Sequence, residues 1–157
     1  MGIYLELAGI KGSSTDDQFK DMIELSSFQW GAGLGVGSPR GGDRTTSEPS
    51  VSEITGTKNL DKSSELLFKN LLMGATIATG KINFVAASKG TSVAYAVLAL
   101  EKVIISGFSQ SSGGDFPVES ISLNFSKFDW MFNGRDGEQA GSPTHLIYDL
   151  ALNKVGG

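Results

Sequence analysis

Near the start of the chain, Ile3, Leu5 and Leu7 alternate with Tyr4, Glu6 and Ala8. A period of two lays one face of a strand against a core. A polar turn, Gly9 to Asp17, follows. The next strand, Asp21 to Trp30, changes its buried face partway along. Ile23 and Leu25 are apolar at odd positions, whereas Phe28 and Trp30 are apolar at even ones. A slip of one residue inverts every side chain, so the pattern predicts a bulge or bend near Ser26-Ser27. The stretch Val118 to Trp130 repeats the device, with Ile121, Leu123 and Phe125 odd and Phe128 and Trp130 even. Two such switches favour strands that turn corners between sheets over a flat sheet.

Further strands are predicted at Val51 to Thr57, Lys81 to Ala87, Ser92 to Ile105 and His145 to Leu152. The last of these sets Leu146, Tyr148, Leu150 and Leu152 on one face. Ser88-Lys89-Gly90 and Ser111 to Asp115 read as turns. One helix stands out. Asp61 or Ser63 supplies its N-cap, Glu65 lies in its first turn, Leu66, Leu67, Leu71 and Leu72 give apolar stripes, and Gly74 ends it. Between Gly31 and Ser50 runs a loop with glycine at 31, 33, 35, 37, 41 and 42 and proline at 39 and 49. A structureless loop of about 20 residues is unusual in a compact domain, and such loops are commonly functional. Arg40, Asp43, Arg44 and Glu48 equip it to pair with a partner surface. The whole reads as one domain, 1–157, mainly β: a closed barrel or sandwich of about eight strands with one α-helix packed on its side. Phe28, Trp30, Phe125, Phe128 and Trp130 are expected to fill the interior.

Composition narrows the function. Of 157 residues, 39% are hydrophobic and 19% charged, the balance of a globular chain rather than a disordered one. Net charge is −4, and the basic residues are scattered, so nucleic acid is not an expected partner. The longest apolar run, Val93 to Leu100, is far short of the roughly 18 residues of a membrane span. Cysteine is absent, which rules out disulfides and thiolate metal sites. The opening Met-Gly-Ile-Tyr-Leu-Glu-Leu has neither a basic nor an apolar signal region, so export is expected to use a route without an N-terminal signal.

Reactive residues are few. The chain has one histidine, His145, which cannot build a typical zinc site without cysteine. No Gly-x-Ser-x-Gly elbow accompanies it. The run Gly31 to Gly37 misses the dinucleotide spacing, and Gly74 to Lys81 misses the phosphate-loop spacing, with Lys81 opening a strand instead. The acidic pairs Asp16-Asp17 and Asp136/Glu138 lie in polar turns. No catalytic residue, metal or cofactor is expected, and the chain is read as a non-enzyme.

Several segments together resemble the Hcp (haemolysin co-regulated protein) family, the tube proteins of type VI secretion. Ile3 to Gly9 is similar to the family's first strand, and Gly9-Ile-Lys-Gly12 to its Gly-x-x-Gly turn. Ile23-Glu24-Leu25 with Phe28-Gln29-Trp30-Gly31 resembles its second strand with paired aromatics. Thr57 to Ser64 resembles its helix-start motif, Val118 to Lys127 the strand before its final loop, and Tyr148-Asp149-Leu150 its closing strand. The chain departs from the family at Glu65, where proline is frequent, and at Ile147, where glycine is frequent. Residues 31–50 diverge most.

The resemblance implies hexameric rings stacked into a hollow tube, with a spike protein at its tip, a contractile sheath around it and small effector proteins in its lumen. It implies a lumen face at Ser27 and Gln29. It also implies ring or inter-ring contacts through the loop residues Gly35, Val36, Gly37, Ser38, Pro39, Arg40, Asp43 and Arg44. Such a protein is made in the bacterial cytoplasm and then secreted to the extracellular space or a target cell. A phage-tail-tube-like protein and a small-ligand-binding β-barrel are the alternatives.

Overall fold

The computed structural model describes residues 1–37, 45–134 and 143–157. In β1 (Gly2–Leu7) the sequence alternation becomes orientation: Leu5 and Leu7 are buried and Glu6 faces out. The stretch read as one strand at 21–30 is two, β2 (Ile23–Leu25) and β3 (Ser27–Gln29), with a corner at Ser26. There the Ser26 amide donates to the Thr57 carbonyl at 2.7 Å. The corner is where the chain changes partners. β2 pairs with β1, and β3 pairs with β6 (Ile54–Asn59). The second parity switch is also a corner, since β9 (Val118–Asn124) ends before Phe125-Ser126 and β10 (Lys127–Phe132) begins after it.

The centre of the fold is a long hairpin of β7 (Thr76–Ser88) and β8 (Thr91–Ser111). Its two-residue turn places Lys89 at φ 49° and Gly90 at φ 80°, the double positive φ whose twist suits a tight hairpin. Along its other edge β8 pairs first with β10, over Ala96–Glu101, and then with β9, over Ile104–Ser111. Lys102, at the handover, has φ 52°.

Pairing runs from β1 to β2, round the corner to β3, then to β6, β9, β8, β7 and back to β1. The hydrogen-bond ladder is not continuous around this circuit, because β2 hands over to β3 at Ser26. The result is barrel-like with a corner, filled by Leu5, Ile23, Ile54, Ile82, Leu100 and Ile121 among others. β11 (Thr144–Asp149) and β12 (Lys154–Gly156) stand outside the circuit as a flap built onto β10. The helix, α1 (Ser64–Met73), buries Leu67 and sets the Phe68 ring 5.1 Å from that of Phe108 on β8. Gly74 ends it at φ 61°, in the left-handed region that glycine enters without cost.

Twelve strands are present among the described residues, against the roughly eight expected from the apolar runs. That expectation already counts the two bent stretches twice, and the short β4 (Ala32–Gly33), β5 (Ser50–Val51) and β12 account for most of the difference. β7 begins at Thr76, not at Lys81, and passes through Gly80. A Cβ there would meet Leu7 Cδ2 at 3.0 Å, so this glycine marks close packing rather than a break. The last strand stops at Asp149 instead of reaching Leu152. The Asp149 carboxylate accepts the Leu152 amide at 3.0 Å and Asn153 takes φ 49°, so the chain turns back into β12 and Leu152 is exposed.

Candidate assembly surfaces

The barrel has two unlike outer faces. On β3, β6, β9 and the end of β8, Ser27 stands opposite Thr57, Thr57 opposite Ser120, and Ser120 opposite Ser109. The next outward row is Gln29, Thr55, Ser122 and Gly107. Ser27 Oγ lies 2.7 Å from Thr57 Oγ1. Neither row contains a charged side chain. Glu53 marks the margin, where it accepts a hydrogen bond from the Ser106 hydroxyl. The face carried by β1, β7, β8 and β10 is different. Glu6 pairs with Lys81, and Glu101 with Lys127 and Lys127 with Asp149 in turn. Ser27 and Gln29 therefore belong to a wider uncharged surface of hydroxyls and an amide. The sequence showed the two residues, but the neighbours depended on register.

Residues 31–37 and 45–52 form an arm rather than a structureless loop. Ala32 pairs with Val51 and Gly33 with Ser50, and Val36 bridges Thr46. The Gly37 amide donates to the Thr45 carbonyl at 2.7 Å and the Ser47 amide to the Gly35 carbonyl at 2.9 Å. The odd positions 33, 35 and 37 are glycine, so the even ones, Ala32, Leu34 and Val36, share one face of the ribbon. Leu34 is 50% and Val36 49% exposed. Gly35, Val36 and Gly37 of the expected contact set thus lie on the arm. Ser38, Pro39, Arg40, Asp43 and Arg44 lie outside the described residues.

At the base of the arm the aromatic side chains form a chain of edge contacts. Trp30 is 4.9 Å from Phe128, 6.4 Å from Phe125 and 5.9 Å from Trp130, ring centre to ring centre. Phe125 and Phe128 are buried, and Phe28 and Trp30 are half-buried. Trp130, expected in the core, is 45% exposed. Its parity is inward, but β10 runs to the end of the packed interior, where the half-buried Trp30 ring is its aromatic neighbour.

The helix start is held by a buried polar cluster that the strand patterns did not disclose. Lys58 and Glu119 are both 0% exposed, with Nζ and Oε1 2.5 Å apart. Lys58 Nζ also lies 3.0 Å from Asp61 Oδ1 and donates to Ser64 Oγ at 3.1 Å. The Ser64 hydroxyl donates to Glu119 Oε1 at 2.7 Å, and Gln110 Nε2 donates to Glu119 Oε2 at 2.7 Å. The available signal was parity, since Lys58 follows Ile54 and Gly56 on the inward face and Glu119 precedes Ile121 and Leu123. Asp61 accepts the Ser63 amide at 2.9 Å and the Ser63 hydroxyl. The Ser63 side chain therefore caps no backbone group, although Ser63 occupies the N-cap position. Asp61 makes the turn that delivers the helix.

Candidate chemistry is sparse around these surfaces. His145 Nδ1 lies 2.9 Å from Asp129 Oδ1 on the charged face. No group of three or more metal-capable side chains occurs among the described residues. The Ser92 hydroxyl, followed by the Gln18 amide, holds the Asp16 carboxyl below the usual carboxylate range. Asp16 is thereby kept ionised, the reverse of what a general acid requires. The hydrogen bond from Lys62, with its charge, does the same for Asp21. Asp136 and Glu138 lie outside the described residues. A cleft of about 680 Å³ sits on the surface where the β1 turn meets the helix, lined by Lys11, Lys20, Asp21 and Lys62 among others. It is not the apolar interior cavity of a ligand-binding barrel.

The family model described as type VI secretion system effector, Hcp, matches residues 4–132. Protein hcp1 of Pseudomonas aeruginosa is 24% identical over 155 residues, covering 96% of each chain. Among solved structures, that of a type six secretion system protein superposes with a TM-score of 0.87 at 26% identity, covering 99% of both chains. The crystal structure of Hcp1 from Salmonella typhimurium gives a TM-score of 0.79 at 24% identity, covering 98% of this chain and 97% of that one.

Proposed function

Because the chain belongs to the Hcp family of type VI secretion proteins, we propose that it is the tube subunit of such a machine and a structural part rather than a catalyst. Copies join head to tail into a hexameric ring, since a heterologous contact repeated about an axis closes on itself. Rings stack into a hollow tube. A spike protein sits at the tip, a contractile sheath drives the tube outward, and small effector proteins travel inside. The protein is made in the bacterial cytoplasm and leaves the cell as part of the assembly.

The observation that carries this reading is the contrast between the two outer faces. The rows from Ser27 to Ser109 and from Gln29 to Gly107 hold no charge. Turned to the lumen, they offer weak, exchangeable hydrogen bonds and no fixed charge on which a moving cargo would stall. The charged face of Glu6, Lys81, Glu101 and Lys127 then lies away from the lumen.

Size-exclusion chromatography with light scattering, followed by electron microscopy, tests the proposal. The expected particle has six times the 16.5 kDa chain mass and appears as an annulus. A strictly monomeric protein at high concentration, with the arm intact, overturns it.

A further inference from the structure

Asn133 follows the last residue of β10 and holds the strand end to β8. Its backbone amide donates to the Tyr95 carbonyl at 2.8 Å, and its side-chain Nδ2 donates to the Ala94 carbonyl at 3.3 Å. Those two carbonyls belong to a bulge. β7 pairs Phe84 with Ala96 and Val85 with Ala94, so Tyr95 stands opposite no residue of that strand. The polar groups of a bulge have to be met from elsewhere, and Asn133 meets two of them. Only a donor can do so, because a carbonyl oxygen offers no proton.

The residue after Asn133 is glycine. The chain has six asparagines, and the others stand in Asn59-Leu60, Asn70-Leu71, Asn83-Phe84, Asn124-Phe125 and Asn153-Lys154. A side chain on the following residue crowds the approach of its amide nitrogen to the asparagine Cγ, and glycine has none. Gly134 takes φ 91°, which a residue with a side chain adopts only under strain. The turn that ends β10 therefore favours the same residue that leaves Asn133 open to attack. Both residues are half-buried, within reach of water.

We propose that Asn133 is a site of spontaneous deamidation, and that the change unlatches the end of β10 from the β8 bulge. The Gly134 amide nitrogen loses its proton to hydroxide and bonds to Asn133 Cγ. The bond from Cγ to Nδ2 breaks, and Nδ2 leaves as ammonia with a proton from water, which restores the hydroxide. Water then opens the five-membered imide. Cleavage of its nitrogen–Cγ bond gives aspartate. Cleavage at the main-chain carbonyl gives isoaspartate, whose backbone runs on through Cγ and is one carbon longer. Water is the only co-reactant and ammonia the only leaving group. Both products carry a carboxylate, an acceptor where Ala94 requires a donor, so that carbonyl loses its partner. In isoaspartate the extra carbon also shifts the chain beyond the Tyr95 contact. The hydrogen bond to Ala94 must open before Cγ turns toward Gly134, so the fold slows the reaction without preventing it.

The purified protein is incubated at mildly alkaline pH and followed by isoelectric focusing and by mass spectrometry of the tryptic peptide Phe128–Arg135. Cleavage after Lys127 and Arg135 keeps the sequence Asp136-Gly137 out of that peptide. The expected result is an acidic species whose net charge is one unit below −4, with a gain of one mass unit in that peptide and a rate that rises with hydroxide. Asn133→Gln keeps the donor but demands a six-membered ring, and it is expected to lose the acidic species. Asn133→Asp, the product made by mutation, is expected to unfold at a lower Tm, with faster amide exchange at the end of β10. A folded protein that stays unmodified while its urea-unfolded form converts overturns the proposal, as does an acidic species that persists in Asn133→Gln. The aged protein, separated from fresh protein by ion exchange, gives the same comparison even if Asn133→Asp does not fold. Equal Tm values for the aged and fresh forms overturn the unlatching.

Discussion

Replacing Lys58 by methionine removes one charge from a place without water. Methionine keeps the length and flexibility of the stem, so little volume is lost. What changes is electrostatic. Lys58 Nζ sits 2.5 Å from Glu119 Oε1 and 3.0 Å from Asp61 Oδ1. At an effective dielectric near 20, charges so spaced attract by about 7 and about 6 kcal/mol. Desolvation of the ions consumes much of that, and truncating one partner of a buried pair costs about 3–5 kcal/mol because the other charge is stranded. In the variant Glu119, 0% exposed, keeps only the hydroxyl of Ser64 and the amide of Gln110. For a chain of 157 residues, such a loss lowers Tm by about 6–20 °C. Glu119→Leu costs less, about 2 kcal/mol, because Lys58 retains Asp61 and Ser64. The double variant Lys58→Met/Glu119→Leu recovers most of the stability, since an apolar pair replaces an ionic one. Urea unfolding followed by tryptophan fluorescence, with all variants in the same oligomeric state, gives the full cycle. A loss below 1 kcal/mol for Lys58→Met, or a double variant as unstable as the sum of the singles, would refute the reasoning.

Other perturbations address separate features. Gly12→Ala would place a Cβ 2.3 Å from the Met22 carbonyl oxygen. It should destabilise by about 3 kcal/mol or more, read as a lowered urea midpoint with faster amide exchange around Asp21. Lys102→Gly removes the left-handed strain at φ 52° and should stabilise by about 0.5–1 kcal/mol, visible as a Tm rise of a few degrees. Lys62 depresses the Asp21 pKa first by its hydrogen bond and then by its charge. That contribution is present above the ordinary aspartate range and is lost as pH falls through the lowered value. The Tm gap between the parent and Lys62→Ala should therefore be small at neutral pH and shrink further in acid. A gap that widened in acid would have the wrong sign.

Much of the architecture follows from parity. Both corners, at Ser26 and at Phe125-Ser126, lie where the apolar positions change from odd to even, because a strand that turns must re-aim its side chains. The same rule failed where the barrel ran out. Trp130 and Leu146 have inward parity yet are 45% and 41% exposed, and a period of two does not reveal where a neighbouring sheet ends. The alternating glycines of 31–37 were visible as composition, yet their meaning as a one-sided ribbon depends on pairing with 45–52, which nothing local specifies. The Lys58–Glu119 pair was hidden because its members are 61 residues apart and become neighbours only when β6 and β9 align. Gln29 and Ser27 were legible as outward-facing, whereas the uncharged field around them needed four strands in register.

The seam between β1 and β7 has a consequence in time. Leu5 lies opposite Ile82 and Gly2 opposite Val85, so β1 waits for a segment translated roughly 80 residues after it. Loop-closure entropy must be met before that contact gives anything back, which slows folding relative to chains built from local contacts. During the wait β1 and β2 show bare apolar side chains and unsatisfied amides to solvent. The chain is therefore most prone to aggregation before β7 has been made, and its demand for chaperones should track how fast it is translated.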